Sequence, residues 1–464
     1  MVEIAMELEG KRVVVVGLAR SGVAAARFLA GRGAHVVATD RKPASELPEE
    51  VMSLAHQGVV LELGGHPPAA FAGASMVVVS PGVPWDMPEL EEARRAGVPV
   101  VAELELAYRQ IPGPVAAVTG TKGKSTTTAA LGAMLAESGL DVRVGGNIGE
   151  PLVGLVEGAK ASTIFAVEAS SFQLEGIDRF RPRVAVFLNL SADHLDRHAS
   201  FEAYAQAKAR IFRNQRREDW AVVNADDAEV LRLARGTRAR VVAFSPAAEA
   251  PRPLLAGAGA AAWFEGGRAH LRLDGAVETL FERSTARVPG PHIAGDLLAA
   301  AAAARLLGAE PAAIARAVAA FRGVEHVLEL AGEVRGVRFF NDSKATNVDA
   351  ARKSLEAFQG PVLAIVGGRY KGGDFADLAP ALARHGKAVL AIGEAAGRVE
   401  SALAGVVPVL PCATMREAVE RAFAAAAEGD TVLLAPACSS FDMFSDYAER
   451  GRAFKQEVRR LSRG

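Results

Sequence analysis

A chain of 464 residues, half of them hydrophobic, is too long for a single core and too apolar for disorder. With 53 Lys and Arg against 54 Asp and Glu, its formal charge of −1 excludes the electrostatic footprint of a nucleic-acid or anionic-membrane binder, so any phosphate-bearing ligand must be held by local sites. Two cysteines, Cys412 and Cys438, exclude a disulfide scaffold, and the opening MVEIAMELEGKR lacks the apolar stretch of a secretory leader, so a reducing cytoplasm is expected.

In the first hundred residues short β-branched runs alternate with helical patterns: VVVVG (13–17), a helix over Ser21 to Gly31, HVVATD (35–40), VVLEL (59–63), MVVVS (76–80) and VPVVA (98–102). That alternation predicts a parallel sheet with crossover helices. GLARSG (17–22) follows the first run and opens a helix, and Asp40 closes the second run. It is a degenerate dinucleotide fingerprint, in which Ala19 replaces the glycine that lets backbone approach a pyrophosphate. The loop suits a diphosphate-bearing nucleotide, of which a nicotinamide cofactor is one. SPG (80–82) either helps form the same crevice or is an ordinary turn.

A second series starts with VAAV (115–118), followed by GTKGKSTTT (120–128) and the helical AALGAML. Glycines free backbone N–H groups to converge on oxygens, and a helix N-terminus adds partial positive charge. Gly120, Thr121, Lys122, Gly123, Lys124, Ser125 and Thr126 thus form a candidate triphosphate loop, with Lys124 reaching the β and γ phosphates and Ser125 or Thr126 holding magnesium. Val118 stands where the ordinary Walker pattern has its first glycine, and the alternative is a glycine-rich turn with a surface lysine.

TIFAVE (163–168) ends in Glu168, a magnesium-bound carboxylate or a buried cap. RVAVFLN (183–189) leads into NLSADHLDRH (189–198), whose His194 is a ligand or a structural histidine, and WAVVN (220–224) follows. Lys208, on an apparent helix from Phe201 to Phe212, reads as a surface lysine. Residues 245–260 have loop composition. Between Trp263 and Val288 lie short antiparallel strands closed by Gly turns, flanking the central sheet. Two helices run on to Phe321, and LLAAAAAARLLGA (297–309) is too short to span a membrane and is expected to be a buried helix.

From Glu333 the alternation resumes with RFFND (338–342), VLAIVGG (362–368), AVLAIG (388–393), TVLLAP (431–436) and a final helix. NDSKATN (341–347) joins a carboxylate, a lysine and hydroxyls in one strand-to-helix turn, which either holds an amino acid's carboxylate or only caps the helix. GGRYKGGDF (367–375) and PACSSFDMF (436–444) sit at neighbouring strand ends. The expected fold is α/β, with three domains in series: a Rossmann-like domain over 1–102, a P-loop-type ATPase domain with a parallel sheet and a small flanking antiparallel sheet over 103–323, and a second Rossmann-like domain over 324–464.

GTKGKST, GGNIG (145–149), EASSFQLE (168–175), NLSADHLDRH, YAQAKARIF (204–212), VVNADD (222–227), NDSKATN and PACSSFD stand in the order in which the Mur ligases carry them, and the chain resembles that family over its whole length. The resemblance implies an ATP-dependent, ADP-forming ligase that adds D-glutamate to UDP-N-acetylmuramoyl-L-alanine through an acyl phosphate and a tetrahedral intermediate. It implies a cytoplasmic monomer in peptidoglycan precursor synthesis, with ATP and two Mg2+ sites and with neither nucleic acid nor membrane as partner. By the same resemblance Lys124 holds the γ-phosphoryl, Ser125 and Glu168 hold one magnesium, and His194 and a carbamylated Lys208 serve the second. Leu18, Ala19, Arg20, Asp40, Arg41 and Gly82 take the uridine diphosphate end, and Asn147 the sugar end. Asp296 and Asp342 are nucleotide-side contacts, and Lys344, Thr346, Lys371, Ser440 and Tyr447 read D-glutamate.

Four positions depart from the family pattern. Lys122 replaces a common asparagine, with its side chain expected to point away from the loop's backbone; Val327 follows His326 where an arginine is usual; Ile293 and Asp296 replace two asparagines, and an acid at 296 is expected to accept from adenine without donating. Open beside the D-glutamate ligase are another amino-acid ligase of the family, an NAD-dependent oxidoreductase resting on GLARSG, and a catalytically silent ligase-like binding protein.

Overall fold

The structure is a computed structural model that describes residues 7–463 except 192, 195–196, 247–258 and 289. The chain forms two compact units, one of residues 1–283 with 295–317 and one of 284–294 with 318–464. Most of the stretch 245–260 lies outside the described residues. Among those that are described, no helix is long and apolar enough to cross a membrane.

The first unit holds two sheets. Strands β1 (Arg12–Val16), β2 (His35–Asp40), β3 (Val60–Leu63), β4 (Met76–Val79) and β5 (Val100–Ala102) pair in the order 3-2-1-4-5, all parallel. The valines of β1 and β4 are buried on both faces, which is why these strands read as continuous apolar runs rather than as alternation. The order reverses between β1 and β4, and their carboxyl ends open a crevice there.

The second sheet comprises β6 (Val115–Thr119), β7 (Val142–Gly146), β8 (Ile164–Glu168), β9 (Val184–Phe187), β10 (Trp220–Asn224), β11 (Arg240–Ser245), β12 (Ala260–Glu265), β13 (Arg268–Leu273) and β14 (Ala276–Glu282), in the order 14-13-12-11-10-9-6-8-7. The antiparallel meander β12–β14 flanks the parallel strands by extending their sheet, since β12 pairs parallel with β11. Its two-residue turns, Gly266-Gly267 and Asp274-Gly275, have positive φ at both positions, the geometry that matches strand twist in tight hairpins. Helix Pro291–Leu306 carries Leu297 to Ala304 at 1% exposure or less, so it is enclosed on every side, as its uniform apolarity requires.

In the second unit β15 (Glu329–Val334), β16 (Val337–Asn341), β17 (Val362–Gly367), β18 (Gly386–Ile392), β19 (Val409–Cys412) and β20 (Thr431–Leu434) pair in the order 15-16-20-17-18-19, parallel except for β15. The final helix, Tyr447–Leu461, starts at Asp446, whose side chain accepts the Glu449 N–H at 2.6 Å. It buries Gly451, Phe454 and Val458 against this sheet's core, a one-faced spacing of three and four residues. Adjacency of β16, β20 and β17 brings the loops 342–347, 435–441 and 368–373 to one end of the sheet.

Candidate functional site

In the second sheet β6 lies between β9 and β8, so the loop after Thr119, the end of β9 and the carboxylate Glu168 converge. Asn189, just past β9, holds the loop in place. Its carbonyl accepts from the Thr121 N–H at 3.0 Å, its side-chain oxygen from the Lys122 N–H at 2.8 Å, and its side-chain amide donates to the Lys122 carbonyl at 3.1 Å. Gly123, with φ 82°, turns the chain into helix Lys124–Glu137, and a side chain there would collide with the carboxyl of Asp296. The Lys122 side chain is mostly exposed, pointing out of the loop as expected.

Glu168 is 2% exposed, yet both its oxygens are used: one accepts from the Ser125 hydroxyl and the other from the Asn147 amide, each at 2.7 Å. Two candidates, Ser125 in the first turn of its helix and Asn147 just past β7, thus meet on the buried carboxylate of a third at the end of β8. Among the described residues no group of three His, Cys, Asp or Glu side chains forms a metal cage. A hydroxyl beside a single fixed carboxylate is instead the partial oxygen shell that suits magnesium, whose remaining positions go to water and substrate phosphate.

The sequence physics of Lys208 is overturned here. It is not a surface lysine but 2% exposed, and its ammonium donates to the Gly120 carbonyl at 2.8 Å. Lys124 donates to the same carbonyl at 3.0 Å and to that of Thr121 at 2.9 Å. Burial first, and the Lys124 charge second, bring the Lys208 amine down to about 7. Helical periodicity around 208 is weak, so the buried face could not be picked out from the sequence. Tyr204, one turn earlier, stacks its ring 4.7 Å from the Lys208 ammonium and pairs its hydroxyl with that of Thr121 at 3.1 Å. Burial pushes the Tyr204 phenol up to about 12.

His194 takes φ 55° and is not hydrogen-bonded to Glu168 among the described residues. It lies edge-on to Phe172, 5.1 Å between centroids, on the helix that follows Glu168. Asp296 is buried, with Oδ2 lacking a hydrogen-bond partner among the described residues. Burial raises its carboxyl well above the usual range, against a smaller opposing effect from Thr127. That shift favours the protonated form, which carries a donor that the ionised acid lacks.

In the first sheet hydrogen bonds tie the strand ends together around the loop 17–22. Asp40 accepts from the Leu18 N–H at 2.7 Å and from the Lys42 N–H at 2.9 Å, and Ser80 donates to the Gly17 carbonyl at 2.7 Å, joining the ends of β1, β2 and β4. Ala19 caps helix Arg20–Gly31, and Arg20 reaches the Gly149 carbonyl, two residues from Asn147. Arg41 and Gly82 lie at the ends of the two flanking strands, Gly82 accepting from Arg197 at 3.2 Å. The Arg20 contact thus brings the crevice between β1 and β4 alongside the segment that carries Asn147, which in turn bonds Glu168.

In the second unit the candidates gather around a residue that sequence reasoning passed over. Arg450 is 1% exposed and donates to the Ser343 hydroxyl (2.9 Å), the Ser343 carbonyl (2.9 Å) and the Cys438 carbonyl (3.1 Å). It ties the loops carrying Lys344 and Thr346 to the one carrying Ser440, which Arg369 and Ser439 join to the Lys371 loop through paired backbone bonds. With neutral acceptors only, burial lowers the guanidinium to about 10. Tyr447 is partly exposed, edge-on to His326 at 6.1 Å, and its carbonyl accepts from Ser343. Asp342 is buried, accepts from the Leu328 N–H at 3.3 Å and the Ser354 hydroxyl, and is pushed up to about 6 by burial. His326 bonds the Asn341 amide at 2.9 Å.

Three family models match successive stretches of the chain. Residues 11–102 match the Mur ligase MurD-like N-terminal domain, 118–304 the Mur ligase middle domain, and 328–438 the Mur ligase glutamate ligase domain. The UDP-N-acetylmuramoylalanine–D-glutamate ligase of Acidobacterium capsulatum is 46% identical over 98% of this chain and 97% of its own length; that of Solibacter usitatus is 46% identical over 98% and 99%. A solved UDP-N-acetylmuramate-alanine ligase of Thermotoga maritima shares the fold, with a TM-score of 0.57 at 20% identity, covering 97% of this chain and 99% of that one. The chain belongs to the Mur ligase family.

Proposed function

We propose that the chain is the cytoplasmic ligase that joins D-glutamate to the alanyl carboxyl of UDP-N-acetylmuramoyl-L-alanine with cleavage of ATP to ADP and phosphate. The observation that carries this is the convergence of Ser125 and Asn147 on Glu168, beside two lysines on the Gly120 carbonyl. A carboxylate is a poor electrophile, so the alanyl carboxylate oxygen attacks the γ-phosphorus and breaks its bond to ADP. The amine of D-glutamate then adds to the acyl phosphate, loses a proton, and the tetrahedral adduct expels phosphate. Positioning and charge neutralisation dominate such chemistry.

Lys124 exchanges its two carbonyl acceptors for the γ-phosphoryl, and Gly120 to Thr126 cradle the remaining phosphates. Ser125 and Glu168 would hold one magnesium, and His194 with a carbamylated Lys208 the second; magnesium supplies charge neutralisation on the transferring phosphoryl group. The low basicity of Lys208 suits carbamylation: the ammonium gives up one proton readily, and the neutral amine adds to CO2 and releases a second, so that a cation becomes a carbamate anion. Leu18, Ala19, Arg20, Asp40, Arg41 and Gly82 bind the uridine diphosphate end, Asn147 the sugar, and Asp296 and Asp342 serve the nucleotide. Lys344, Thr346, Lys371, Ser440 and Tyr447 read D-glutamate. The test is ADP formation from Mg-ATP, expected only with both the UDP-sugar substrate and D-glutamate present. Phosphate release unchanged by omitting either one would overturn the proposal.

A further inference from the structure

Arg197, in the turn after His194, spans the first two sheets of the first unit. Its two terminal nitrogens donate to the consecutive carbonyls of Gly82 and Val83, each at 3.2 Å. Its guanidinium carbon lies 4.9 Å from the centroid of the Phe172 ring. That ring also carries His198, stacked at 5.2 Å and 4°, and the edge of His194 at 5.1 Å. His198 is buried and bonds the Ser171 hydroxyl at 3.0 Å, while the Arg197 and His198 N–H groups both return to the His194 carbonyl at 3.0 Å. One aromatic face on the helix after Glu168 therefore supports His194, Arg197 and His198, and the guanidinium fork joins them to the backbone that follows β4.

We infer that Arg197 is a positioning residue that couples the loop at Gly82 and Val83 to His194, so that the UDP-sugar substrate in the first domain's crevice fixes the catalytic turn and strengthens nucleotide binding. This rests on the ligase reading given above. Left-handed backbone at His194 is a conformation a non-glycine residue holds only when its surroundings impose it, and the fork on Gly82 and Val83 is one such constraint. A planar guanidinium can stack on Phe172 while serving two neighbouring carbonyls; a lysine ammonium cannot reproduce that pairing. Coupling of this kind is reciprocal between the two ligands.

The test compares the wild-type chain with Arg197→Ala and Arg197→Lys by calorimetry, using a non-hydrolysable ATP analogue with magnesium, with and without UDP-N-acetylmuramoyl-L-alanine. In the wild type the UDP-sugar is expected to tighten analogue binding by about tenfold, within the usual span for coupled sites. Both variants should lose most of that gain while keeping their affinity for each ligand alone, and kcat should fall more than either KM changes. Undiminished coupling in both variants, or full rescue by lysine, overturns the inference while wild-type ligation still supports the ligase. No ligation by the wild type with coupling intact would sink the ligase reading alone. A variant that only melts earlier, with its coupling unchanged, marks Arg197 as scaffold and also overturns the inference.

Discussion

Lys208 and Lys124 share one acceptor: both ammonium groups donate to the carbonyl oxygen of Gly120, at 2.8 and 3.0 Å. Two cations this close disfavour each other's charge, and burial makes Lys208 the one that yields. Lys124→Met is therefore expected to raise the Lys208 pKa from about 7 toward the ordinary lysine range. At neutral pH this lowers the fraction of amine free to take up CO2. Carbon-13 spectroscopy with labelled bicarbonate would read the carbamate directly, and an equal signal in both proteins would contradict the coupling. The same variant should lose turnover yet still bind the UDP-sugar, whose loop lies on the other sheet.

Lys208→Ala removes the amine that is proposed to become a carboxylate. Ligation should fall by about 10²-fold or more, the scale on which a preorganised charge-stabilising group acts. Formate or acetate should restore part of it by entering the vacated space. Absence of rescue across a concentration series would leave the carbamate role without support.

Glu168→Gln keeps the shape but not the acceptor pair. The glutamine oxygen can keep the Asn147 amide while its own amide donates to the Ser125 hydroxyl, so both contacts survive without the negative charge. A kcat lowered by about 10²–10³-fold, with a higher magnesium requirement and little loss of stability, is expected. A wild-type magnesium dependence would exclude this carboxylate from the metal site.

Glu103 gives a pH dependence unrelated to catalysis. It is buried, accepts from the Val153 N–H at 2.7 Å, has no partner for Oε2 among the described residues, and is pushed up to about 7, chiefly by burial. Between the unfolded value of 4.5 and about 7 the unfolded chain has lost the proton that the folded chain keeps, so stability falls as pH rises through that window. Glu103→Gln should erase this slope, with a relative gain that grows across the window and levels off above it, reaching roughly 3 kcal/mol at most. Denaturant unfolding of both proteins at intervals from pH 5 to 8 checks it; parallel curves would show that the side chain ionises freely.

Arg450→Met removes a buried side-chain link between two loops of the second unit. Each acceptor left buried and unpaired costs about 1–3 kcal/mol, so a lower melting temperature is expected. The KM for D-glutamate should rise more than that for ATP, because Lys344, Thr346 and Ser440 lie on the loops that Arg450 joins. An unchanged D-glutamate KM would separate Arg450 from the amino-acid site.

Sequence by itself determined the three α/β series and the strand ends that carry the site, because buried parallel strands are uninterrupted apolar runs and their polar residues accumulate where the run stops. VVVV, VAAV and VLAIV are legible on that ground, and so are Glu168 and the loop from Gly120. Three edge strands were not: β7 (VRVGG), β15 (ELAGEV) and β19 (VLPC) hold glycine or proline and bury only part of their length, so they lack the signal of a central strand. Only the tertiary structure decided which polar side chains are buried and what they share. Lys208, Arg450, Arg197 and Asn189 lie tens of residues from their partners, and no local pattern records a contact that chain topology alone creates. Their charge and basicity follow from desolvation and from neighbours, both of which are properties of the folded arrangement rather than of the residue type.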